Sequence, residues 1–154
     1  MFPGRTVLRM VRPLYLLDTN ILSEPIKPQP NVFVLERLKQ GGALCAMSSI
    51  TYHELYYGVQ LVQSEERKLQ LERFLLNVIK PSFPILNYDD HAAEIHGVLR
   101  AKLKERGVMV ADMDAQIAAV AIANNLILVT RDLKDFEPMA AVSTLMLENW
   151  FQPA

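Results

Sequence analysis

Much of what a catalytic chain could use is missing from these 154 residues. There is one cysteine, Cys45, so an intramolecular disulfide and a multi-thiolate metal site are both excluded. Inside the aliphatic run Leu44-Cys45-Ala46-Met47 it reads as a small buried hydrophobe in a reducing compartment. No apolar run approaches the ~18 residues that would span a bilayer. The first dozen residues, MFPGRTVLRMVR, lack the apolar centre of a secretory signal, and the expected location is the cytoplasm. Net charge is only −1; without a bulk basic footprint, any contact with nucleic acid has to come from a local patch. No Walker loop, no G-x-G-x-x-G and no G-x-S-x-G is present. His53-Glu54 opens like a zincin motif, but the position four residues on is Tyr57, so the second metal ligand is absent. His91 and His96, five apart, do not share a helix face. All three histidines read as surface or core residues.

What is present is an ordinary globular composition, 51% hydrophobic and 21% charged, in a chain of one-domain length. We expect residues 1–13 to be an extension before the first strand, with Met10 as an alternative start, and 14–154 to form a single domain. Neither an internal repeat nor a linker is visible. Three short aliphatic runs read as buried strands: Leu14 to Leu17, Ala43 to Met47, and Leu126 to Val129. Between the second and third, Ile85-Leu86 suggests another strand, and Ser143 to Leu147 a last one. Helices are expected after Asp18, from Asn31 to Gly41-Gly42, from Thr51 onward, from Ser64 to Ile79, from Asp89-Asp90 to Glu105, and from Asp112 to Asn124-Asn125. Strands alternating with helices point to a parallel sheet covered on both sides.

The acids fall at the junctions of this pattern. Asp18 follows the first strand, Glu54 lies just past the second, Asp114 opens a helix, and Asp132 follows the strand ending at Val129. Each has a plain structural explanation as well. Asp18 and Asp114 suit helix caps, Thr51-x-x-Glu54 fits a capping box, and Asp132 suits a turn. Asp112 and Asp89 are equally explained by capping. Taken together the four mean more, because parallel topology brings such junctions to one sheet edge, where ligands gather. Two carboxylates about 4 Å apart repel by roughly 4 kcal/mol at a surface-like dielectric. A cluster of them calls for a cation or for protonation. All-oxygen ligands favour Mg²⁺ or Mn²⁺.

Four segments, in order, carry a family resemblance. They are Leu16-Leu17-Asp18-Thr19-Asn20, Ser49-Ile50-Thr51-x-x-Glu54-Leu55-x-x-Gly58, Asp114-x-x-Ile117-Ala118-Ala119 and Val129-Thr130-Arg131-Asp132-x-x-Asp135-Phe136. The set resembles that of PIN-domain ribonucleases, above all the VapC-type toxins of bacterial toxin–antitoxin pairs, over roughly Leu14 to Trp150. The resemblance implies a three-layer α/β/α domain with a central, mainly parallel sheet of about five strands. It implies a Mg²⁺- or Mn²⁺-dependent endoribonuclease that hydrolyses single-stranded regions of RNA, leaving a 5′-phosphate and a 3′-hydroxyl. It implies a homodimer, a small antitoxin encoded nearby as partner, and contact with operator DNA only through the antitoxin complex.

On the residues, Asp18, Glu54, Asp114 and Asp132 are the expected metal ligands, direct or through water. The scarcity of well-placed histidines agrees, since carboxylates favour water activated by a metal over histidine acid–base chemistry. Thr19 and Thr130 are candidates to orient a water or carboxylate, and Asp89 to support them. Arg131 and Lys134 are candidates for phosphate contacts, with Lys102, Lys104 and Arg106 as an outlying patch. The amphipathic 64–79 segment reads equally as a partner-binding hairpin and as a packing helix. Two rival readings keep the fold: a catalytically inactive RNA- or protein-binding subunit, and a doubly wound phosphatase or phosphoacceptor domain. The phosphatase reading wants Asp-x-Asp after the first strand, where this chain has Asp18-Thr19-Asn20.

Overall fold

The computed structural model describes residues 12–154; Met10 and most of the expected N-terminal extension lie outside them. Five short strands make one parallel sheet: β1 Tyr15–Leu17, β2 Cys45–Ser48, β3 Ile85–Leu86, β4 Ile127–Val129 and β5 Met146–Glu148, in the order β3-β2-β1-β4-β5. Seven helices are set around it among the described residues. They are α1 Thr19–Leu22, α2 Val32–Gly41, α3 Ser49–Gln60, α4 Glu65–Phe74, α5 Asp90–Glu105, α6 Asp112–Ala123 and α7 Leu133–Ala140.

Side-chain alternation along the strands divides the core into two layers. Leu16, Ala46 and Leu128 face one side, with Leu99 and Leu103 of α5, Ile117 to Ala121 of α6, and Phe136 and Met139 of α7. Leu17, Cys45, Met47 and Val129 face the other, with Ile21 and Leu22 of α1, Val34 and Leu38 of α2, and Trp150. Helices on both faces explain why β2 is buried at every position, as strands of a doubly covered sheet must be. The alanines of α6 matter here: Ala115, Ala118, Ala119 and Ala121 are all buried. Small side chains let this helix approach the sheet closely and carry its first turn to the strand ends.

Several local expectations are corrected. The helix after β2 opens at Ser49, not Thr51. Ser48 is the cap, its Oγ accepting from the Thr51 N–H at 3.0 Å and bonding the Thr51 hydroxyl at 3.1 Å. Thr51 is thereby consumed by Ser48, and Glu54 belongs to no capping box. The 64–79 segment is not one α-helix: α4, capped by Ser64, passes at Leu75–Ile79 into a π-helical turn and closes through Lys80–Ser82. None of the α4 residues is buried, whereas Leu75 and Ile79 are. Helix α7, with Pro138 inside it, was not expected at all. The last strand lies later than Ser143–Leu147, at Met146–Glu148. Asn125, at φ 54, ends α6 in the left-handed region that Asn tolerates.

The chain closes on Trp150, which is 2% exposed. Its ring packs edge-on to Tyr15 at 5.1 Å, its N–H donates to Glu148 Oε1 at 3.0 Å, and Arg37 lies 5.2 Å from its centroid while pairing with the same Glu148 oxygen at 2.8 Å. These contacts bind the β5 edge to β1 and α2. Trp150→Ala is expected to lower stability by about 3–5 kcal/mol, read as a shift of the urea midpoint followed by circular dichroism. A loss under about 1 kcal/mol would contradict this role for the C-terminal segment.

Candidate active site

The connection from β3 to β4 crosses both β2 and β1, so the order of strands reverses between β1 and β4. A crevice opens at the carboxyl ends of strands at such a point. Asp18 ends β1 and caps α1 there, 7% exposed. Its backbone N–H donates to the Val129 carbonyl of β4 at 2.9 Å, which fixes the Cα. One carboxylate oxygen accepts from the Thr19 N–H at 2.8 Å and the other from the Thr130 hydroxyl at 2.8 Å. Thr130 is fully buried, and its own N–H donates to the Glu148 carbonyl of β5 at 3.0 Å. Three neighbouring strands thus set the position of one acid.

Asn20, in the first turn of α1, ties in the next junction. Its amide donates to Asp132 Oδ2 at 3.1 Å and lies 3.4 Å from Thr130 Oγ1, while its carbonyl oxygen accepts from the Arg131 N–H at 3.1 Å. The Asp132 N–H in turn donates to Thr130 Oγ1 at 3.0 Å. Asn at position 20 is therefore a clamp between the two strand ends.

The acids feel one another. The Asp18 carboxyl is raised above its ordinary value by burial, against the pull of the Thr130 and Thr19 hydrogen bonds, with Asp132 and Asp135 adding repulsion. Glu54, on α3, is raised by burial and then by Asp18, with His53 and Thr19 opposing. Asp114, in the first turn of α6, is pushed up to about 6 by burial and by the charges of Asp18, Asp135, Glu54 and Asp132, in that order. All four expected acids therefore share one electrostatic site, and Asp135 joins them. Asp135 and Asn20 are the residues to which the sequence reading gave no role. Asp135 needed helix α7 to be foreseen: only on a helix does a residue three after Asp132 return to the same side.

The other candidates fall out as follows. Asp89 caps α5, accepting from the Ala92 N–H at 2.9 Å, and is not among the charges that raise the clustered acids. Asp112 is an exposed first-turn residue; the cap position itself is Ala111, with no side-chain bond. Arg131 is exposed and lies 4.7 Å over the Phe151 ring. Lys134 is exposed on α7. His53 and His91 are exposed, and His96 is buried with Nδ1 2.8 Å from the Tyr88 hydroxyl.

The donor set suits a hard divalent cation: oxygen only, with several repelling carboxylates. The Thr19 hydroxyl oxygen is buried beside them with no hydrogen bond of regular geometry, although it lies near enough to Glu54 to favour that acid's charged form. An orphaned buried polar atom calls for a partner, and a water or a group rearranged around a bound ion would supply one. Among the described residues no three His, Cys, Asp or Glu side chains already form a closed cage for one ion.

Comparison with known proteins identifies the family. The profile of the PIN domain matches residues 15–141. The chain belongs to the PIN-domain family. Ribonuclease VapC2 of Haemophilus influenzae is 37% identical over 137 residues, 88% of this chain and 97% of that one. Among solved structures, FitAcB from Neisseria gonorrhoeae superposes with a TM-score of 0.83 at 34% identity, covering 91% of this chain and 100% of the other. VapBC2 from Rickettsia felis, bound to a DNA fragment from its promoter, gives 0.75 at 30% identity over 89% and 98%. Within the PIN-domain family the chain lies with the VapC ribonucleases.

Folded, Asp114 keeps its proton up to about pH 6; a free aspartate releases it near 3.8. Between these values the folded state binds more protons than the unfolded one, so stability falls as pH rises through the window. In the presence of chelator, the urea midpoint of the native chain should drop between about pH 4 and pH 7, and that of Asp114→Asn should drop less. Identical slopes for the two would contradict the assignment of Asp114 to the cluster.

Proposed function

We propose that the chain is a Mg²⁺- or Mn²⁺-dependent endoribonuclease that hydrolyses single-stranded regions of RNA, acting as the toxin of a toxin–antitoxin pair. The observation that carries this is the group of five mutually repelling carboxylates at the β1/β4 crevice. They are expensive to hold together without a counter-charge, and Thr130 and Asn20 fix two of them, Asp18 and Asp132, at the strand ends. Asp18, Glu54, Asp114 and Asp132 would hold the ion, directly or through water, with Asp135 beside them. When bound, the ion supplies charge compensation for the phosphate and a lower pKa for water.

The chain's own residues do the positioning. Thr130 and the Thr19 N–H, donating one to each oxygen of Asp18, fix the orientation of that carboxylate, and Asn20, donating to Oδ2, orients Asp132. The raised pKa of Asp114 means that a cation arriving near neutral pH competes with a proton there. Arg131, next to Asp132 in sequence and lying over Phe151, would contact a phosphate, and the exposed Lys134 would add a second cation. The relative's name, ribonuclease, supports the reaction class, and the homologous complex on promoter DNA supports an antitoxin through which operator DNA is reached. A homodimer and a cytoplasmic location complete the reading; no helix among the described residues is long and apolar enough to cross a membrane.

Asp18→Asn and Asp114→Asn should each keep the fold and lower RNA cleavage by at least about a hundredfold, on the scale of losing one electrostatic stabiliser. Thr130→Val, which frees the Asp18 oxygen without touching the acid, should lower metal affinity or rate by about 10- to 100-fold. Gel assays of RNA cleavage with Mn²⁺, with chelator and after readdition of metal test all three. Cleavage at native rates in the aspartate variants, or in chelator, would refute the metal-dependent reading. Separately, co-expression with the product of the adjacent gene should restore growth and yield a stable complex; a neighbour that neither binds nor protects would remove the toxin role while leaving the nuclease.

A further inference from the structure

The mechanism leaves unused the surface next to Glu54. Three of the chain's five tyrosines, Tyr52, Tyr56 and Tyr57, lie on α3 together with His53. The His53 and Tyr57 rings, one helical turn apart, are stacked with an interplanar angle of 25° and centroids 6.4 Å apart. Tyr57 is 60% exposed and His53 is exposed. An aromatic ring normally buries most of its area, and tyrosine is no better than middling as a helix former. Neither local structure nor core packing accounts for this pair.

Its position is informative. His53 adjoins Glu54 in sequence, and its charge is felt by the Glu54 carboxyl. At 100° per residue, Tyr57 lies about 60° from Glu54 around the helix on the same flank as His53. Glu54's opposite flank carries Leu55, Gly58 and Val59, which with Leu22 and Phe74 line an aliphatic groove of about 250 Å³. That groove has the chemistry of a seat for apolar side chains. The His53–Tyr57 side offers flat π faces with polar edges, continuous with the acid edge where a phosphate would be cut. Flat rings with polar edges are what unpaired bases stack on, and stacking is tolerant of sequence because every base has a π face.

We infer that His53 and Tyr57 form a stacking platform for an unpaired RNA base flanking the reactive phosphate. The inference rests on the ribonuclease reading and extends it to how the substrate is held. The platform binds ground state and transition state alike, so its removal raises KM and leaves kcat little changed.

The test uses the full-length chain carrying Asp114→Asn, in which cleavage is expected to be at least about a hundredfold slower, with metal added in excess, and a pool of short single-stranded RNAs containing 2-aminopurine. Stacking quenches that base. Adding Tyr57→Leu should abolish the quench and weaken binding at least about fivefold, the lower end for one base–aromatic stack; Tyr57→Phe should restore both. In the cleaving enzyme Tyr57→Leu should raise KM by a similar factor. An unchanged quench and affinity in Tyr57→Leu would overturn the inference. So would unchanged RNA binding accompanied by loss of self-association or of antitoxin binding, which would assign this face to protein. A native chain that cleaves no RNA, and whose Asp114→Asn form binds none, would overturn the nuclease reading and the platform with it.

Discussion

The hydrogen bond from the Thr130 hydroxyl to Asp18, at 2.8 Å, is the contact on which the site depends. It joins the carboxyl ends of β1 and β4 where the strand order reverses, and it places an acid in a pocket that burial makes unfavourable for its charge. Because Thr130 also accepts from the Asp132 N–H and is held by β5 through its own N–H, one residue couples three strands to two acids. A charge-assisted hydrogen bond of this kind is stronger than a neutral one and offsets part of the desolvation cost. The sheet is therefore more than a scaffold: the spacing of β1 and β4 sets the spacing of the acids.

The order of the site also explains what the sequence could and could not disclose. Acids at strand ends were legible because the strands themselves were: short aliphatic runs ending in Asp18 and in Thr130-Arg131-Asp132 have few other interpretations in a parallel sheet. Glu54 was legible as a candidate but ambiguous in role. The ambiguity was resolved by Ser48, whose cap occupies Thr51 and leaves Glu54 free to face Asp18. Asp135 was obscured by a missed helix. Leu133 to Ala140 contains Pro138, and a proline there argues against a helix in a sequence read alone.

Asn20 illustrates a different limit. Its residue type was noted only for what it fails to be, the second aspartate of a phosphatase. Its real work, bridging Asp132 and the Arg131 backbone over more than a hundred residues of chain, is a tertiary fact with no local signature. The π-helical turn at Leu75–Ile79 belongs to the same class. Leu75 and Ile79 are buried in the layer of Leu17, Met47 and Val129, and nothing in their spacing separates a π turn from an α turn.

A chain of net charge −1 with an acid cluster at its centre is by itself poorly suited to a polyanion, and coupling to a cation would resolve the contradiction. Without a cation, a phosphate approaching Asp18, Glu54, Asp114 and Asp132 meets repulsion from each, on the scale of kilocalories per close pair at surface dielectric. A divalent ion held among them would cancel part of that charge and offer the phosphate oxygens a positive partner at close range. Ion and RNA then strengthen each other's binding by the same factor, as linkage requires. Affinity that does not depend on charge has to come from elsewhere, and exposed aromatic rings on α3 are the available source. On this view the neutral composition and the aromatic surface are two sides of one solution. On the metal-dependent reading, RNA would be held firmly only where the metal is, without the indiscriminate binding to nucleic acid that a basic surface would bring.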